Sequence, residues 1–300
     1  MDLGELASCF TSASCVVTQV SAGLTIGLLL FLVASGLTLI FGVLGLVNFA
    51  HGTLYMLGAY FALSAYGATG SFLAATLAGA LGVAVFGLVI ERLLLSRIYG
   101  ADVLMQLLVC YGIILIVDDL VKIVWGADFL KMDLPDAFRR PPLLLAGGIV
   151  PYYYLVLFGI TLAIAVLLGL GMTRTRFGRT VRAAAVNPGM VAALGVNTTL
   201  VFAAVFAIGA LLAGLAGALS APIRSVVPGA GVSILIESFI VTVIGGMGSI
   251  GGALVASLLL GFTRSFGSIG FPLFTEGAMF LIMALVLLVK PSGLAGKKAA

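Results

Sequence analysis

The chain has 300 residues, of which 62% are hydrophobic and 9% charged, with a formal net charge of +4. Soluble domains carry roughly a quarter charged residues, so this balance excludes a soluble enzyme and points to a polytopic membrane protein. The excess of bases does not indicate nucleic acid, because the lysines and arginines sit at the ends of apolar runs, where they orient membrane spans.

The first 91 residues contain no lysine or arginine. A cleavable signal peptide with a basic leader is therefore not expected, and the first span is retained. Cys9 and Cys15 are close enough to pair in an oxidising compartment, and Cys110 falls inside an apolar run. From Gln19 to Tyr66 the chain is apolar almost without pause. As one helix it would run on the order of 70 Å against a hydrocarbon core of ~30 Å, so it must break. The polar residues Asn48 and His51 within Gly42–Gly52 mark the break. Polar groups at such a place are candidates for a translocation pathway, or else they satisfy the broken helix ends.

A third span over 72–95 ends on Glu91, Arg92 and Arg97. A fourth, Val103–Trp125, carries Asp118, Asp119 and Lys122, expected to pair locally near its outer end. The longest hydrophilic connection, 126–150, precedes a fifth span, Pro151–Met172, and a sixth is Leu200–Leu219. The stretch Val232–Phe266 would again be too long, about 52 Å, for one crossing. Its glycine cluster Gly245–Gly252 supplies the break, with Gly245, Gly246 and Gly248 as hinge candidates. Glu237, early in that stretch, is either an interfacial carboxylate or part of the pathway. A last span, Gly277–Val289, leads to Lys290-Pro291 and a tail with Lys297 and Lys298. The expected fold is one all-α polytopic transmembrane domain over 1–300, with eight or nine crossings and discontinuous helices.

Between the fifth and sixth spans lies a loop, 174–199, with Arg174, Arg176, Arg179 and Arg182. It contains its own helix signal. Asn187 suits the N-cap, Pro188 the first turn and Gly195 the left-handed position after the last turn. The helix Pro188–Leu194 is expected to present Met190, Val191 and Leu194 on one apolar face. Arginine placement puts this loop, Arg92/Arg97 and the tail in the cytoplasm, and the N-terminus and Arg139-Arg140 outside.

No GxxxxGK[ST], HExxH, CxxC or GxSxG pattern is present, and His51 is the sole histidine. The chain offers no nucleotide-hydrolysing, metal-binding or nucleophilic constellation, and an enzyme is not expected.

The segment Gly36–Gly52, GLTLIFGVLGLVNFAHG, continuing through Leu54–Tyr60, resembles the permease subunit of bacterial ABC importers for branched-chain amino acids. Arg182–Asn187 with Ala192–Val196 is similar to the coupling loop of that family. Val243–Ala253 with Lys290–Leu294 agrees as well, although the glycine block is shared with sugar permeases of the wider superfamily. The resemblance implies a bacterial plasma (inner) membrane location and a second homologous permease subunit. It also implies two cytoplasmic ATPase subunits holding ATP and Mg, and an extracytoplasmic substrate-binding protein. No cofactor is implied for this chain itself. Arg182, Asn187, Pro188, Met190, Val191, Leu194 and Gly195 are then the expected ATPase-coupling residues. One departure is that Ala183–Ala185 are all alanine where many ABC permeases carry a glutamate. A permease of the same architecture for urea or short amides, and an ion-coupled secondary transporter, are the alternative readings.

Overall fold

From Ala13 to Leu44 the sequence has neither proline nor a charged residue, and it forms one uninterrupted 32-residue helix (α2) that is the spine of the protein. The computed structural model describes residues 3–296. A short helix, α1 (Leu3–Thr11), precedes the spine and is tied to it by a disulfide between Cys9 and Cys15. After α2 follow α3 (His51–Thr69), α4 (Phe72–Leu93) and α5 (Val103–Trp125). A hairpin of β1 (Leu143–Leu145) and β2 (Gly148–Val150) then leads into α6 (Tyr152–Arg174). The second half comprises α7 (Arg176–Val186), α8 (Pro188–Ala193), α9 (Thr198–Ser220), α10 (Ala230–Gly245), α11 (Ile250–Gly270) and α12 (Thr275–Val289).

In lipid no hydrophobic force drives helices together, so close packing depends on small residues. That is where the glycines go. The spine packs against α9, α10 and α11, and α3 lies against α4, α9 and α10. A methyl on Gly27 of α2 would stand 2.8 Å from the Ser257 carbonyl of α11, and one on Gly79 of α4 would stand 2.7 Å from Ala218 of α9. Gly58 of α3 abuts the backbone of Gly214 on α9. By contrast α5, α6 and α12 leave many leucines, isoleucines and valines uncovered. Five stretches, α2, Phe72–Arg97, α6, α9 and α11, are long and apolar enough to cross a membrane, and α10 and α12 are shorter apolar helices.

The two ends of the bundle differ. At one, Gly42 of α2 meets the turn after α10, and Met172, Arg182 and Lys290 border the same cleft. At the other, the hairpin leans on the start of α2, with the Ile149 N–H donating to Thr18 Oγ1 at 3.1 Å. Also at that end, Leu130 pairs with Val226, and Phe10 stacks on Phe266 at 5.2 Å. The N-terminal helix and the arginine-rich segment therefore lie at opposite ends, as expected; Lys297 and Lys298 fall outside the described residues.

Two features depart from the sequence reading, and the break near Asn48 falls where it was expected. The hairpin adds strand to an expected all-α chain, closed by a two-residue turn in which Ala146 and Gly147 both have positive φ (49° and 81°). Residues 176–186, expected as loop, are helical. The second span is separated from the first by the non-helical stretch 45–50 alone, so the interruption is a tight reversal.

Candidate functional site

The reversal after α2 is held by its polar residues. Asn48 Oδ1 accepts the N–H of Ala50 at 3.1 Å, and the Cys110 thiol of α5 points at the same oxygen at 3.9 Å. His51, in the first turn of α3, reaches back to the Val33 carbonyl with Nε2 at 3.0 Å. Both side chains are fully buried, and neither borders the cavities described next. Their observed contacts satisfy broken helix ends and tie α3 to the middle of the spine.

A cavity of about 220 Å³ lies between α3, the α9–α10 connection, α10 and α11. Glu237 enters it from α10 and is 8% exposed. Arg264 of α11, 27 residues away in sequence, donates to Glu237 Oε1. The Tyr55 hydroxyl donates to Ser220 Oγ at 2.6 Å on the opposite wall. Arg224, half-buried in the connection, also lines the space, and Tyr154 lies within reach of its charge. Asp118 and Lys122 stay outside; Lys122 pairs with Asp119 at 2.9 Å, the local pairing expected of that cluster.

The glycine cluster forms the turn between α10 and α11. Gly246 (φ 94°) and Gly248 (φ 87°) adopt backbone conformations that side chains disfavour. The turn is clamped: the Leu294 N–H donates to the Ile244 carbonyl at 2.7 Å and the Ala295 N–H to the Gly245 carbonyl at 3.1 Å. Gly245 itself packs on the backbone of Gly252 and Ala253. Beside this turn opens a cleft of about 1260 Å³ bordered by Gly42, Met172, Arg182, Gly248 and Lys290.

On the far side of that cleft the arginine-rich segment folds as two helices. Thr175 caps α7 by accepting from the Gly178 N–H at 3.0 Å, and Gly178, Val181 and Ala184 turn inward at three-residue intervals while the arginines face out. Arg182 donates to the Met172 carbonyl in the last turn of α6. Its observed partner is thus within the chain, satisfying a carbonyl left free at a helix end. For α8 the expected caps form. Asn187 Oδ1 accepts the Met190 N–H at 2.9 Å, Pro188 occupies the first turn, and Gly195 has φ 82°. The N–H of Val196 reaches the Val191 carbonyl at 3.3 Å and that of Gly195 the Ala192 carbonyl at 2.9 Å, the paired bonds of a Schellman ending.

The expected three-residue face needs correction. Met190 and Leu194 are 65% and 78% exposed, but Val191 is 6% exposed and packs with Leu39, Val181, Ala184, Val201 and Val205. Residues four apart share a face at 3.6 residues per turn, whereas Val191 lies about 100° round from Met190. Val191 is the anchor that holds α8 down, and Met190 and Leu194 are what it presents. Val186, 88% exposed at the end of α7, borders the cleft beside the glycine turn.

Nearby, the buried Glu91 at the end of α4 accepts the Tyr99 hydroxyl at 2.7 Å, and the Tyr99 ring stands edge-on to Phe202 at the start of α9. Burial first, and then the Glu91 carboxylate, push the Tyr99 phenol well above its ordinary range, so it remains a donor. Sequence reasoning missed Tyr99, Arg224 and Arg264. It also missed α7, for which the three-residue spacing of Gly178, Val181 and Ala184 was the available signal.

The family described as branched-chain amino acid transport system / permease component matches residues 19–290. The high-affinity branched-chain amino acid transport system permease protein BraD of Pseudomonas aeruginosa is 32% identical over 292 residues, covering 93% of this chain and 95% of the relative. LivH of Escherichia coli, which carries the same description, is 30% identical over 294 residues, with the same coverage. A probable LivH of Methanocaldococcus jannaschii is 28% identical over 290 residues. Among solved structures, PsaBC from Streptococcus pneumoniae in complex with Fab aligns over 96% of this chain and 95% of that one with a TM-score of 0.51. At 12% identity that likeness concerns the fold alone.

Proposed function

The chain belongs to the permease-component family of branched-chain amino acid transport systems, membrane transport subunits and not enzymes, and from that premise we propose how it works. It is one half of a translocation path for hydrophobic amino acids, paired with a second homologous permease. Two cytoplasmic ATPase subunits drive it, and an extracytoplasmic binding protein delivers the substrate. Nine helices, α2 to α6 and α9 to α12, supply the crossings. With an odd number, the N-terminus lies outside and the α7–α8 segment and the end of α12 lie in the cytoplasm, where the arginines belong.

The observation that carries the coupling role is α8. A six-residue helix capped at both ends and anchored inward by Val191 holds Met190 and Leu194 out at the cation-rich end. Such a projection suits a groove on a partner, the helix-in-groove mode. Displacement of α8 on ATP-driven closure of the ATPases passes through α7 to the cleft beside the glycine turn. The helices around it then exchange access between the two sides.

Reconstitution tests this reading. Proteoliposomes containing the chain, its sister permease and the ATPases should accumulate leucine only with ATP inside the assembly and binding protein outside. Uptake by this chain alone on an ion gradient would instead make it a secondary transporter, and uptake of urea but not leucine would move the substrate class to short amides.

A further inference from the structure

The 220 Å³ cavity next to Glu237 is smaller than the roughly 300–1,000 Å³ typical of drug-sized ligands, and its walls have a specific chemistry. Two guanidinium groups, Arg224 and Arg264, and one carboxylate, Glu237, face it, leaving one positive charge in excess. Arg264 is engaged with Glu237, whereas Arg224 has neither a salt bridge nor a side-chain hydrogen bond among the described residues. Tyr55 and Ser220 add hydroxyls, and Met56 and Ile234 add apolar surface. An unpaired guanidinium in a partly buried place favours a carboxylate guest, which it holds with two parallel N–H···O bonds. A guest that brought only a carboxylate would leave the Glu237–Arg264 pair untouched, but one that also brings an ammonium group engages both halves of the cavity.

Resting on the transport reading above, we propose that this cavity is a transient seat for a zwitterionic α-amino acid within the permease itself. The carboxylate of the substrate pairs with Arg224, its ammonium group competes with Arg264 for Glu237, and its side chain lies against Met56 and Ile234. The ammonium group takes only part of Glu237 from Arg264, which engages Oε1, so the second charge adds a partial gain over a carboxylate alone and the seat stays shallow. A permease needs that, since a tight site would not release.

The test uses the complete transporter in proteoliposomes without binding protein, with Ser233, an exposed residue of the cavity wall, replaced as Ser233→Cys to report occupancy. Cys110 is buried and the other two cysteines are bonded to each other. Leucine should slow labelling by an impermeant methanethiosulfonate; at about tenfold its half-protecting concentration the rate should fall roughly elevenfold. Both 4-methylpentanoate and 3-methylbutylamine, each carrying one of the two charges, should protect clearly less than leucine at that concentration. Adding Arg224→Gln should raise the half-protecting concentration roughly tenfold to a hundredfold, and Arg224→Lys should raise it less. Protection of equal strength in Arg224→Gln, or by either single-charge analogue, overturns the proposal. So does absence of protection in a transporter that accumulates leucine with ATP and binding protein, and that result leaves the transport reading standing. Absence of ATP-driven leucine uptake by the unsubstituted transporter removes the transport reading and this seat with it.

Discussion

Gly42 of α2 and Gly248 of the α10–α11 turn meet backbone to backbone: a methyl added to Gly42 would stand 2.8 Å from the Gly248 Cα. The end of the spine thereby touches the turn on which the second half of the bundle reverses. The cleft beside Arg182 borders both.

Leucine at Gly246 should therefore be far more damaging than leucine at Gly169. At Gly246 a Cβ would stand 2.5 Å from the Gly296 nitrogen and 2.9 Å from the Ser292 carbonyl, on a backbone with φ 94°. Nothing lies within 4 Å of a Cβ at Gly169 in α6. Overpacking of this kind costs about 1–3 kcal/mol, before the strain of positive φ is added. Transport at matched membrane abundance should collapse for Gly246→Leu and persist for Gly169→Leu. Equal activity of the two would dissociate the turn from transport.

At the reversal after α2, Asn48→Leu should destabilise the chain by about 1–3 kcal/mol, because the buried Ala50 N–H loses its acceptor. Thr173→Ala, which removes an exposed hydroxyl bonded to the Gly169 carbonyl, should be neutral. Thermal inactivation of the purified protein in detergent reads the difference. A neutral Asn48→Leu would mean that the reversal holds by packing alone.

How much of this was legible beforehand depends on whether the signal was local. The caps of α8 are three residues within nine, Asn187, Pro188 and Gly195, each acting on its neighbours' backbone, and they read correctly. That breaks must occur followed from length, since no single helix of those spans fits a bilayer, and the polar pair Asn48 and His51 and the glycine cluster said where. The orientation of Val191 did not, because which side of a six-residue helix faces inward is decided by Leu39, Val181 and Val205, on other elements. Glu237 stood out as a lone acid in an apolar run. Its partner Arg264 lies on another helix, and no spacing announces such a pair. Four arginines drew attention from the inward row Gly178, Val181 and Ala184, and so α7 read as loop.

Sidedness has two independent readouts. Cysteines introduced as Arg140→Cys and Leu194→Cys, both exposed and at opposite ends, should react oppositely with an impermeant maleimide added outside intact cells: the first labelled, the second not. Cys9 and Cys15 should resist alkylation until reduced, because a disulfide persists on the oxidising side. Labelling of the Leu194 position from outside would invert the topology.

The sharpest consequence concerns Leu194. It is 78% exposed and its side chain takes no part in capping α8, which rests on Asn187, Pro188 and Gly195. Leu194→Glu should therefore leave folding and insertion intact. Sinking a leucine into a partner groove is worth about 1.5–3 kcal/mol, so the charged replacement should weaken ATPase docking by roughly tenfold or more. Val191→Ala should behave differently, destabilising the α7–α8 segment by about 1.5–3 kcal/mol by leaving a void against Val181 and Val205. Arg176→Ala, on the outward face of α7, should change little. The measurement is co-purification of the ATPase together with substrate-stimulated ATP hydrolysis, at equal recovery of both permease subunits. If Leu194→Glu retains the ATPase at full yield with normal stimulation, then α8 is an interfacial segment and the coupling surface has to be sought elsewhere on the cation-rich end, starting with Val186.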